Sequence, residues 1–333
     1  MDGITQVINK ENEICHQNIN SRYQKIGRRR PCSVLVLSVL TLAFAGTIFM
    51  EKAASHTSPD HEIEDQTQAI LKEPERPDLW ITRSQYYRSN GNFVQALNDL
   101  EQAGELDPEN IDILLERGLT LSALGRDVEA EVELDRFLEE ESSNSLIALV
   151  ERGHIRARTG REDLAIDDFT HAIHLQPAVG LYMARGQAQE TLGDLEAAAS
   201  GYREGLSHMG DNVSLKRALI RIEKTRHQYD EALRLIDEEL ARVKIKSPWY
   251  LARAELLALK GQVKAAKRDR KKALVETNRA LGKRPTALHR MYRAKVYIAM
   301  GRLEDAKRDL QLAVQVAPYL AEAEELLTSL EGR

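Results

Sequence analysis

The chain has 333 residues, enough for two average globular domains or one long repeat array. Hydrophobic residues reach 42% but aromatics only 5%, with 30% charged, a balance that suits alanine- and leucine-rich helices and argues against an aromatic-packed enzyme core. The net charge of −5 hides a step, because residues 1–32 carry six Lys/Arg against three acids and residues 51–333 carry a net −8.

The chain opens with this basic leader, 1–32, followed by the uncharged apolar run SVLVLSVLTLAFAGTIFM at 33–50. At 1.5 Å per residue the run makes about 27 Å of helix, long enough for a bilayer core. KIGRRRPC lies upstream and Glu51 downstream. The positive-inside rule therefore predicts a single-pass anchor in the cell inner membrane, with a cytoplasmic N-terminus and everything beyond it on the exported, periplasmic side. Ala43-Phe44-Ala45 supplies a small-x-small cleavage site, so a cleaved signal peptide is the alternative to a retained signal-anchor. Cys15 and Cys32 both precede the run, leaving an exported portion with no cysteine and no dependence on redox compartment. Residues 51–76 read as a Ser/Pro-containing linker with one short helix.

From residue 77 onward the sequence repeats with a period of 34, in units at 77–110, 111–144, 146–179, 179–212, 213–246, 247–280 and 287–320. The turn between two helical patterns falls at Gly91, Gly125, Gly160, Gly193, His227, Gly261 and Gly301. Five places later stand Ala96, Ala130, Ala165, Ala198, Ala232, Ala266 and Ala306, where a small side chain lets the paired helices approach closely. The fifth unit departs most, with Ile220 at repeat position 8 and His227 at the turn; the sixth carries about six extra residues, LGKRPT. The final stretch, 321–333, reads as a capping helix with Glu322, Glu324 and Glu325 turned to water.

With a large residue at position 4 (Trp80, Leu114, Leu149, Tyr182, Tyr250), a small one at 8 and Ala at 20, the array resembles the tetratricopeptide repeat (TPR) family over roughly 77–320. Positions 24 and 27 follow, with Leu100, Leu134, Phe169 and Tyr202, and Ala103, Ala172, Ala273 and Ala313. The resemblance implies an all-α, right-handed α-solenoid of about seven helix pairs plus the cap, preceded by one transmembrane helix. It also implies a concave partner groove on first-helix positions 2, 5, 9 and 12. Here that groove would be lined by Ile81, Leu115, Leu119, Val150, His154 and Met183, leading to Arg217, Arg221 and Lys224. The paired Lys/Asn clamp by which some family members hold chaperone C-termini is absent, so an amphipathic helix or extended segment is the expected ligand.

An arginine stands eight residues before the turn in most units, and an antiparallel hairpin brings it level with the residue eight places after. That pairs Arg83 with Asp99, Arg117 with Glu133, Arg152 with Asp168, Arg253 with Asp269 and Arg293 with Asp309. In the fifth unit both members change together, to Leu219 and Leu235, and only Arg185, opposite Gly201, lacks its acid. Charge accompanies charge and apolar accompanies apolar, so these arginines read as structural ion pairs rather than as substrate ligands.

No Gly-rich phosphate loop, nucleophile elbow or HExxH motif occurs, so neither catalytic residues nor a cofactor or metal is expected. His171 and His174, one turn after Asp167, read as solvent-facing. Residues 101–141 hold 14 acids against three bases, and residues 260–284 hold ten bases against two acids. The basic block could meet an acidic partner, whereas the anchor, the negative exported portion and the lack of interleaved aromatics disfavour nucleic acid. The resulting expectation is a non-enzymatic, membrane-anchored scaffold for protein partners, similar to bacterial envelope TPR scaffolds. The alternatives are an accessory factor for an acidic envelope polymer and an organelle import receptor with a cytosolic array.

Overall fold

The computed structural model describes residues 59–140 and 144–332. The predicted anchor at 33–50 lies outside the described residues, as do the basic leader and the first part of the linker. Among the described residues there are sixteen helices and no strand, and no helix is long and apolar enough to cross a membrane. After α1 (Pro59–Lys72) come seven helix pairs. They are α2 (Pro77–Ser89) with α3 (Phe93–Leu106), α4 (Ile111–Ala123) with α5 (Asp127–Glu139), and α6 (Leu146–Arg158) with α7 (Glu162–Leu175). Next come α8 (Val179–Thr191) with α9 (Leu195–Met209), α10 (Val213–Thr225) with α11 (Tyr229–Arg242), α12 (Ser247–Leu259) with α13 (Val263–Lys283), and α14 (Ala287–Ala299) with α15 (Leu303–Val316). The cap is α16 (Ala321–Glu331).

Local chemistry sets these boundaries. Four first helices start where a short polar side chain takes up a free backbone amide, as where Asn110 accepts from Asp112 N at 3.1 Å and Ser145 from Ala148 N at 3.3 Å. First helices stop at a left-handed residue, six times glycine with φ between +75° and +80°. Once it is His227, at φ +59°, where the β-carbon makes the same turn costlier.

Each helix pair closes on small residues. The seven alanines at position 20 are fully buried, and the position-24 side chain of the second helix lies over position 8 of the first. A β-carbon on Gly153 would meet Phe169 Cε1 at 2.8 Å, and one on Gly118 would meet Leu134 Cγ at 2.8 Å, so position 8 has little room to grow. Burying one such Leu or Phe stabilises by about 1.5–3 kcal/mol.

The exception is α13. Of the extra residues of the sixth unit, Leu281, Gly282 and Lys283 lengthen this helix to 21 residues, against 13 to 15 in the other second helices, and 284–286 form the short connection to α14. Its buried residues are Ala266, Asp269, Ala273 and Thr277, with no large apolar side chain among them. The apolar core accordingly divides here. One cluster ends with Ile236, Leu240, Trp249 and Leu256, and another begins with Ala287, Met291 and Leu310.

Candidate partner-binding groove

First helices of consecutive repeats touch: α2 with α4, α4 with α6, α6 with α8, α8 with α10, and α12 with α14. They form the face on which a ligand would lie, and behind it run the arginine–acid contacts. Arg83 donates to Asp99 through Nε at 2.8 Å and Nη2 at 2.7 Å. Arg253 does the same to Asp269 at 2.6 and 3.0 Å, and Arg293 to Asp309 at 2.6 and 2.7 Å. Arg152 reaches Asp168 at 2.6 Å but also Asp135 at 2.7 Å, while Arg156 adds a second bond to Asp168 at 2.9 Å. Arg117 and Glu133 come only to 3.6 Å, and Glu133 Oε2 is buried without a hydrogen bond. Leu219 and Leu235 are both buried in the apolar core.

Arg185, expected to lack an acid, is paired: Nη2 donates to Glu204 at 2.5 Å. Its neighbour across the hairpin is Gly201, as the register implies, but Glu204 lies one helical turn further along α9 and the long guanidinium arm reaches it. The fit is incomplete, since Arg185 Nε and Gln189 Oε1 are buried without partners beside the missing side chain of Gly201.

The predicted groove residues divide into three groups. Ile81 is 8% exposed and packs with Leu100, Ala103 and Ile113, so it belongs to the core and not to an open groove. Leu115, Val150 and Met183 are partly buried against the core, Leu119 is likewise partly buried, and exposed His154 meets the Phe169 ring edge-on. Of the three bases, two have an acidic partner. Arg221 donates to both oxygens of Glu190, one at 2.8 Å, and Lys224 donates to Glu255 at 2.9 Å. Glu190 also accepts from Tyr202 at 2.6 Å; burial and this carboxylate push the Tyr202 phenol well above its ordinary range. Among the described residues Arg217 has an aromatic contact, 5.5 Å above Trp249, and no acidic partner.

Arg221–Glu190 and Lys224–Glu255 belong to a ladder linking neighbouring first helices. Glu116 accepts from Gln85 and Arg88 at 2.9 Å each, and Lys295 pairs with Glu322 of the cap.

An opening lies further along the array. A cavity of about 660 Å³ is lined by Leu251, Ala252, Glu255, Ala258 and Leu259 of α12, Tyr292, Lys295, Ile298 and Ala299 of α14, and Arg270 of α13. A second, of about 440 Å³, shares Pro248, Ala252, Glu255, Tyr292 and Lys295 with it and extends to Arg217, Ile220, Arg221 and Trp249. Together they make one groove across the first helices of repeats five to seven. Leu251, Glu255 and Lys295 of this groove occupy positions 5 and 9 of the first helices, and the predicted Arg217, Arg221 and Lys224 line its second cavity. The signal that marks the place is Arg270, standing at position 24 where a large apolar residue is the rule.

The fold and groove are those of a helical-repeat array of the kind that binds other proteins. Residues 87–151 match the tetratricopeptide repeat family, and the helix pairs on either side have the same fold. A tetratricopeptide repeat protein from Parabacteroides merdae superposes with a TM-score of 0.50 at 20% identity, over 77% of this chain and 98% of that one. Yeast Tom70 aligns with a TM-score of 0.49 at 16% identity, over 82% of this chain and 58% of its own. PilW, a type IV pilus biogenesis factor, aligns with a TM-score of 0.47 at 18% identity, over 55% of this chain and 86% of its own. No match was found among curated protein sequences.

Proposed function

We propose that this protein is a non-enzymatic scaffold that holds protein partners in the groove of repeats five to seven. Residues 33–50 tether it to a membrane, with the array on the exported side, where it assembles or retains envelope components. The observation that carries the binding reading is the continuous groove between α12 and α14, with apolar Leu251, Tyr292 and Ile298 beside charged residues. A photo-crosslinking residue at Leu251 of the full chain, activated in intact membranes, should capture a discrete partner. The same residue at outward-facing Lys271 should not. Capture only from Lys271 would transfer the function to the basic face of α13. For topology, protease added to spheroplasts should digest the array and leave a short membrane stub; full protection until lysis would reverse the orientation.

A second reading, contact with an acidic polymer, is favoured by α13 itself. Lys264, Lys267, Arg268 and Lys271 are exposed on it and make no ion pair among the described residues. Retention of the full chain on an anionic polysaccharide column, lost on charge reversal of Lys267 and Lys271, would support it.

A further inference from the structure

Position 24 is the apolar knob of the other six repeats: Leu100, Leu134, Phe169, Tyr202, Ile236 and Leu310, none more than 1% exposed. The sixth repeat puts Arg270 there, partly buried, at the floor of the cavity between α12 and α14. It makes no ion pair or hydrogen bond among the described residues. Asp269, its neighbour in sequence, is engaged by Arg253, and Glu255, which lines the same cavity, by Lys224. Arg270 shares the cavity with Leu251, Leu259 and Ile298 and has no ion-pair partner among the described residues.

We propose that Arg270 is the specificity residue of the groove and selects partner segments carrying an acidic side chain flanked by apolar ones. The inference rests on the groove reading above. A guanidinium offers a carboxylate two parallel donors, and the bond strengthens where apolar walls exclude water. The same residue rejects segments with an apolar or basic side chain at that place, because they would leave it covered and unpaired. The flanking residues fill the space that a leucine knob fills in the other repeats.

The test is selection from a random 12-residue peptide library on the solubilised full chain and on Arg270→Gln and Arg270→Leu. The leucine variant carries the residue that two-turn packing uses in three other repeats, so it should fold. Wild type should enrich peptides with one acid between apolar residues, and Arg270→Gln should not. Changing that acid to its amide in the best peptide should weaken binding to wild type about 10- to 100-fold, the loss typical of a charge-assisted bond. It should leave binding to Arg270→Gln unchanged. The same acidic consensus on wild type and Arg270→Gln would overturn the inference and leave the groove standing. Failure of every version to enrich peptides that crosslink to Leu251 would overturn the groove itself.

Discussion

Repeats one to three and repeats five to seven use the same helix pair to opposite ends. In the former, the acid-rich stretch from Glu101 is largely neutralised from within: Glu116 holds Arg88, Asp127 holds Arg158, and Glu131 holds Arg156 and Arg161. In the latter, large apolar residues retreat from α13, bases are left without partners, and a groove opens. The position-24 residue differs between the two, since Leu134 and Phe169 are buried over position 8 while Arg270 lines the cavity between α12 and α14. An array can thus exchange a buried apolar knob for a charged cavity lining without altering its backbone period.

The largest effect is expected where the first segment is most densely charged. Asp168→Ala removes the acid that Arg152 and Arg156 share, leaving them Asp135 and Glu131, and should cost about 3 kcal/mol in urea unfolding, the low end for breaking a buried pair. Replacing both members by leucine, as the fifth repeat does, should recover most of the loss for Arg83 and Asp99. It should recover less for Arg152 and Asp168, because Asp135 and Arg156 remain behind. Equal recovery at the two sites would show that the network adds nothing beyond the pair.

Gly201→Asp should supply the acid that Arg185 lacks in register. A β-carbon there lies 3.4 Å from Arg185 Nη2 and 3.3 Å from Gln189 Oε1, a flexible group able to move aside. Relief of a mid-helix glycine and the added bond should together stabilise by about 1–2 kcal/mol. Gly201→Asn isolates the charge, and equal midpoints for the two variants would rule out an ion pair. Smaller again, His227→Gly should raise stability by about 1 kcal/mol by removing a left-handed side chain, measured by thermal midpoint.

The smallest contrast is one of sign. Burial opposes ionisation of Glu131, but bonds from Arg161 and Arg156 outweigh it and hold the carboxyl below its ordinary 4.5. Its contribution is therefore complete above that value and lost as pH falls through the lower folded one. Burial raises Glu223 above 4.5 despite Arg203, so its contribution is lost as pH rises. Glu131→Gln should be destabilised near pH 7 and converge on wild type toward pH 3, whereas Glu223→Gln should gain on wild type as pH rises. Urea midpoints across that range decide it, and parallel curves would refute both assignments.

Much of the fold was legible because its determinants are local: a glycine at the turn, an alanine five places on, and a hairpin that maps eight residues before onto eight after. The contacts that escaped are those set by reach or by the offset between repeats. Glu204 serves Arg185 across an extra turn, and Arg221 meets Glu190 of the preceding repeat, 31 residues away. First-helix positions alone do not carry Arg270, which reaches the groove from the second helix. The long α13 was visible only as six surplus residues, with nothing in LGKRPT to distinguish a loop from added helix.

The division of the apolar core at α13 also bears on how the chain folds. In a linear array each repeat is stabilised by its neighbours, and cooperativity extends only as far as strong interfaces carry it. Ala266 and Ala273 are a thin seam between the cluster at Trp249 and Leu256 and the one at Met291 and Leu310. The last repeat and its cap should therefore open as a separate unit, with amides of α14 to α16 exchanging before those of α6 to α10. A partner lying across α12 and α14 would suture the two units. Binding at the groove would then be read out as the merging of two unfolding transitions into one.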